Sequence, residues 1–206
     1  MSEFIELRPH NINQKTIREI VQVLRKGGLA IIPTDSIYAV VGDLNHRSVM
    51  DKICKLLGKK PNKANLSILC TNLSNLSEYT TPISNTTYKL MNRVLPGPFT
   101  FILKANSNVP KIFRQNKKTI GIRVPDNAIC QAIIEELGNP LVSSSIHAED
   151  EIQKYLTEPE EIFEVWQGKV DCIIDGEAGE NIGTTVIDAS ESEMELVREG
   201  LGAELL

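Results

Sequence analysis

Thr34, Asp35 and Ser36 stand together in the run PTDSIYAVVGD at residues 33–43, directly after the apolar stretch Leu29-Ala30-Ile31-Ile32. An apolar strand that ends in hydroxyls and a carboxylate delivers them to a cleft at the strand's end, where they can hold a small polar ligand. The same residues can instead do no more than cap the following turn. Read alone, the run allows both. Arg123 is the second candidate, inside the β-branched stretch TIGIRVPD at 119–126 with Pro125 close behind. A guanidinium there is either half of a structural ion pair or an anchor for an anionic ligand, and its setting favours the anchor. No convincing Ser-His-Asp or Cys-His arrangement, GxGxxG run or Walker-type loop accompanies them, so no side chain is singled out as a nucleophile.

The elements that must position these residues follow from periodicity. Asn13 is placed to cap a helix with Ile17, Ile20, Val21 and Leu24 on one face, stopped at Gly27-Gly28. A strand at 29–33 follows. Asn45 is read as the start of a second helix, with Val49, Ile53 and Leu56 in step and Gly58 as its end. Strands are predicted at 66–70, 99–105, 119–124, 141–144, 170–175, 184–188 and 195–198, and helices at 85–93, 127–137 and 159–168. Strands interleaved with helices predict an α/β layered domain, and the late run of strands with few helices between them predicts a mixed sheet. No internal repeat is visible.

At 206 residues without a linker or low-complexity stretch, the chain reads as one domain over 1–206. A net charge of −5 does not mark the surface as a nucleic-acid binder. Basic residues do gather at 52–63 and 111–123, either as solvated faces or as flanks of a phosphate-holding cavity. The four cysteines, Cys54, Cys70, Cys130 and Cys172, show no CxxC and read as buried free thiols in a reducing cytosol. Residues 1–10 carry acid and no apolar stretch, and no run approaches membrane-spanning length, so a cytoplasmic protein without signal peptide or membrane contact is expected.

Five runs in order carry a resemblance: PTDSIYAVVGD, LPGPFTFILK at 95–104, TIGIRVPD, LVSSSIH at 141–147, and the closing pair TTVIDAS at 184–190 with VREG at 197–200. Together they resemble the YrdC-like superfamily, whose best-known members make threonylcarbamoyl-AMP for tRNA modification. The resemblance covers about residues 27–202, and the PTDS-Y-A and FILK patterns look most like the YciO branch. It implies a single YrdC-like domain, a large twisted mixed β-sheet with surrounding helices and a concave cavity. It also implies a reaction in which threonine's amine takes up bicarbonate and the product attacks the α-phosphate of ATP, releasing pyrophosphate. Such chemistry needs cations and positioning more than a nucleophile. ATP enters as a substrate, and a need for Mg²⁺ is left open.

By the resemblance, Thr34, Ser36 and Tyr38 line the amino-acid pocket, and Arg123 meets the threonine carboxylate, for which a planar two-donor fork suits the geometry. Ser143 and Ser145 match polar positions facing the substrates, Thr100 a threonine on the nucleotide side. Thr184 or Thr185, with Arg198, match the closing motifs that contact threonine and the nucleotide phosphate.

This chain departs from the synthase pattern at three places. A Lys-x-Arg-Pro motif becomes Gly58-Lys59-Lys60-Pro61, in which Lys60 offers a point charge without the fork. A Ser-x-Asn motif becomes Ser145-Ile146-His147, placing a titratable ring where an amide is expected, and Asn65 replaces a proline. Two classes of function follow. One is a threonylcarbamoyl-AMP synthase-like enzyme, weakened by these changes. The other is a non-catalytic module on the same fold that binds double-stranded RNA or tRNA; with 5% aromatic residues it would read shape and phosphate, not stacked bases.

Overall fold

The computed structural model describes residues 2–60, 64, 66–109, 118–146 and 155–206. Its strands are β1 (Glu3–Glu6), β2 (Ala30–Ile32), β3 (Ala39–Asp43), β4 (Ser67–Leu69), β5 (Phe99–Lys104), β6 (Thr119–Arg123), β7 (Leu141–Ser145), β8 (Cys172–Asp175), β9 (Thr185–Asp188) and β10 (Glu195–Arg198). The helices are α1 (Gln14–Arg25), α2 (Val49–Leu56), α3 (Asn85–Val94), α4 (Ala128–Leu137) and α5 (Pro159–Trp166). All these strands join one sheet in the order β1-β8-β2-β3-β7-β4-β6-β5-β9-β10. β8 pairs parallel with β1 and β2, β4 with β6, and β5 with β9, while the remaining pairs are antiparallel. The fold is the mixed α/β sheet the sequence predicts.

Local chemistry explains the helices. The Asn13 side chain accepts from the Lys15 N–H at 2.9 Å, and Ile17, Ile20, Val21 and Leu24 form the buried stripe of α1. Asn127 caps α4 in the same way, accepting from the Cys130 N–H at 3.0 Å. Asn45 does not start α2. Its N–H instead donates to Asp43 Oδ1 at 2.9 Å, and the His46 N–H to the Asp43 carbonyl at 3.1 Å. The carboxylate holds a turn there, so helix begins only at Val49. At the other end Gly58 has φ +62° and the Lys59 N–H donates back to the Cys54 carbonyl at 2.9 Å, closing the last turn.

Two strands were not expected. Every residue of β3 is buried, so AVVGD shows none of the alternation that betrays a half-exposed strand. β1 is short and at the sheet's edge, where it pairs only with β8.

The two faces of the sheet differ. On one, α2, α3 and α5 cover an apolar cluster that includes Ile31, Val40, Ile68, Phe101, Ile122 and Val142. On the other, α1 and α4 cover a second cluster containing Ala30, Ile32, Val41, Leu141 and Cys172, and no residue of β5, β6 or β9 belongs to it. Side chains alternate along a strand. Because Ile120, Ile122, Phe99, Phe101 and Ile187 face the first cluster, Gly121, Arg123, Thr100 and Val186 face the second side, beyond the end of its apolar cover. No helix among the described residues is long and apolar enough to cross a membrane.

Candidate functional site

That second side, from β7 across β4, β6 and β5 to β9, carries small and polar residues. Ser143 on β7 pairs with Ser67 on β4, and Ser67 pairs with Gly121 on β6. The Ser143 hydroxyl donates to the Ser67 carbonyl at 3.3 Å. A Cβ on Gly121 would lie 2.7 Å from Ser67 Oγ and 3.3 Å from Thr100 Cγ2, so only glycine keeps this floor flat.

The turn after β2 reaches the same side. Thr34 Oγ1 donates to the Ile37 carbonyl at 2.8 Å and accepts from the Ser36 N–H at 3.1 Å. Its proton is therefore spent, and the 3.2 Å contact with Ser36 Oγ must run from serine to threonine. Arg123 Nη2 then donates to Asp35 Oδ1 at 2.6 Å, to Ser36 Oγ at 3.0 Å and to Thr34 Oγ1 at 3.4 Å. The second Asp35 oxygen accepts from the Asp126 N–H at 2.9 Å, tying the turn to the end of β6. The Arg123 and Asp35 side chains are only 6% and 7% exposed. These contacts thus hold Nη2 alone, while Arg123 Nε is buried without a hydrogen-bond partner among the described residues. A buried donor left unpaired is costly.

At the far end of the strip, Thr100 Oγ1 and Thr184 Oγ1 are 2.8 Å apart. β10 bulges between Leu196 and Arg198, and Arg198 reaches back to Thr184, donating to its carbonyl from Nε at 3.0 Å and Nη2 at 2.8 Å and to its hydroxyl at 3.1 Å.

The expected site residues therefore divide. Thr34, Ser36, Arg123, Ser143, Thr100, Thr184 and Arg198 meet along one side of the sheet. Ser145 closes β7 on the same side, opposite Ala39. Tyr38 points to the other side, fully buried, where its hydroxyl donates to the Glu177 carbonyl at 2.7 Å and accepts from the Gly176 N–H at 3.1 Å. Burial pushes its hydroxyl well above the ordinary range. The Thr185 hydroxyl is likewise occupied by backbone, donating to the Leu201 carbonyl at 2.8 Å and accepting from the Gly200 N–H at 3.1 Å. Lys60 is exposed just past α2. His147, Pro61, Lys63, Asn65 and Lys111 lie outside the described residues. Ser67 and Gly121 join the site without having been assigned to it. Asp35 stood in the PTDS run, but its pairing with a residue 88 positions away has no local signal. Among the described residues no group of three or more His, Cys, Asp or Glu side chains could hold a metal ion.

Comparison with known proteins agrees with this fold. The YciO protein of Escherichia coli K12, itself uncharacterized, is 38% identical over 203 residues, covering 98% of this chain and 97% of its own. The crystal structure of Escherichia coli YciO superimposes with a TM-score of 0.90. A more distant relative is the threonylcarbamoyl-AMP synthase of Pyrococcus abyssi, 27% identical over 97% of this chain and 58% of that one. The structure of Pyrococcus abyssi Sua5 complexed with L-threonine matches at a TM-score of 0.88, with 25% identity over 97% of this chain and 58% of that one. Residues 22–200 match the Sua5/YciO/YrdC family, whose description is telomere recombination, and with the shared sheet and the near full-length match to YciO the chain belongs to that family.

Proposed function

We propose that this chain binds an amino acid and ATP along the polar side of its sheet and makes threonylcarbamoyl-AMP, the activated group used in tRNA modification. Arg123 is the observation that carries the reading: its guanidinium lies on the polar side of the sheet, and all its hydrogen bonds to described residues come from Nη2, which leaves Nη1 uncommitted. A carboxylate is the acceptor whose two oxygens match such a fork. Support comes from the likeness to a Sua5 structure that holds L-threonine.

The chemistry needs no side-chain nucleophile. The threonine amine attacks the carbon of bicarbonate, forming a C–N bond and releasing water. A carbamate oxygen then attacks the α-phosphorus of ATP, and the bond to pyrophosphate breaks. Any Mg²⁺ the reaction needs would come with the nucleotide phosphates and not from a site on the chain. The chain's own share is placement: Arg123 would fix the carboxylate, Thr100 would meet the nucleotide, and Lys60 would offer a point charge to the departing phosphates.

Calorimetry tests the reading by titrating ATP, then threonine, then both with bicarbonate. Threonine and ATP should each bind, and should bind more tightly together with bicarbonate. Absence of all heats, with retention on tRNA or double-stranded RNA that fades with salt, would overturn it.

A further inference from the structure

The geometry points to a one-way hydroxyl relay in which Arg198, acting through Thr184, turns the Thr100 proton toward an acceptor oxygen of the nucleotide; the inference rests on the nucleotide-binding reading above. Thr184 Oγ1 already accepts from Arg198 Nη2 at 3.1 Å. Its own proton must then find an acceptor, and Thr100 Oγ1 at 2.8 Å is the one the described residues provide. The Thr100 hydroxyl in turn accepts this hydrogen bond and makes no other among the described residues, so its own hydrogen is available to donate. Reversing the relay would leave the Thr184 hydrogen, at a residue 3% exposed, with no acceptor, whereas Thr100 is the more open of the two at 8%. A hydroxyl that accepts from a guanidinium is also polarised into a better donor, and that gain passes along the chain of bonds.

The bulge in β10 makes this possible. Leu196 pairs with Ile187 and Arg198 with Val186, so Val197 is the extra residue and Arg198 is re-aimed at Thr184. Three donations to a single residue, two of them to its carbonyl, fix the guanidinium while its partner strand β9 lies directly beside β5, which carries Thr100. Arg198 is thus a positioning residue for Thr100. Phosphate oxygens of ATP only accept hydrogen bonds, so a site with a committed donor suits them and a hydroxyl free to turn either way suits them less.

The test is calorimetry of the full chain with ATP as the probe. Thr184→Val and Arg198→Leu should each weaken ATP binding by about tenfold, as loss of a polarised hydrogen bond does. Thr184→Ser and Arg198→Lys, which keep a hydroxyl and a cationic donor, should restore most of it. Thr100→Val should match Thr184→Val, and the double variant should be no worse than Thr100→Val alone, because both remove one relay. Equal ATP affinity in native and Thr184→Val protein overturns the relay and leaves nucleotide binding standing. Additive losses in the double variant, or a Thr184→Ser as weak as Thr184→Val, also overturn it. No ATP binding by the native protein overturns the relay together with the nucleotide reading.

Discussion

Arg123 is where structural and chemical demands meet in one side chain. Its Nη2 is committed to Asp35, Ser36 and Thr34, and the pair is nearly sealed from solvent. Removing the cation strands a buried carboxylate, so Arg123→Ala should cost about 3–5 kcal/mol of stability. That variant cannot separate binding from folding. Arg123→Lys can, since it keeps a charge beside Asp35 and removes the Nε donor and the planar fork. We predict that Arg123→Lys melts close to the native protein but binds threonine at least about tenfold more weakly by calorimetry. Native-like threonine affinity in a folded Arg123→Lys protein would reduce Arg123 to its ion pair. The sequence offered both roles for this residue, and the structure contains the ion pair as well as the unpaired Nε. What it could not offer was the partner, because Asp35 and Arg123 meet only through the parallel and antiparallel crossings of β2, β3, β7, β4 and β6.

Elements were legible where a single face is buried. The α1 stripe and the Asn13 cap could be read directly, since helical spacing and capping chemistry are local. β3 was hidden because both its faces are covered, and the late start of α2 because an aspartate turn outcompeted an asparagine cap. Gly58 illustrates how element and site can compete for one position. Read along the sequence, it is a lysine lost from a phosphate motif. In the structure it ends α2 in a left-handed conformation with open space around it. A side chain there meets no steric neighbour, so the backbone alone sets the cost, about 1 kcal/mol for Gly58→Ala. A urea midpoint unchanged by Gly58→Ala would contradict this. The consequence reaches the site: restoring lysine at 58 strains the helix end, so Lys60→Arg with His147→Asn is the cleaner way to rebuild the synthase pattern. These two changes should raise threonylcarbamoyl-AMP formation about tenfold if the substitutions weaken a synthase.

Across the whole molecule, helices are distributed unevenly over the two sides of one sheet. One side is roofed by α2, α3 and α5, whereas on the other the cluster under α1 and α4 stops short of β5, β6 and β9. That imbalance was not readable from the sequence alone, because Ser67, Gly121 and Thr100 look like ordinary breaks in strand hydrophobicity until the register aligns them. The cores beneath make a separate prediction. Burial pushes the Cys70, Cys130 and Cys172 thiols up to about 12 from an ordinary 9.0. The unfolded chain releases these protons near 9 and the folded chain holds them to about 12, so their contribution is intact below 9 and lost as pH rises through that window. Each thiol adds about 1.4 kcal/mol per pH unit to the slope. The fall in urea midpoint between about pH 8 and about pH 10 should be shallower in Cys130→Ala than in the native protein. Parallel slopes would contradict the burial account.

The central claim, that the polar side of this sheet joins threonine, bicarbonate and ATP, is tested most directly by measuring threonylcarbamoyl-AMP from the purified native protein. The account predicts product and pyrophosphate that appear only when ATP, bicarbonate and threonine are all present, and that fall sharply in Arg123→Lys. No product from the native protein or from Lys60→Arg with His147→Asn, each folded, would contradict it.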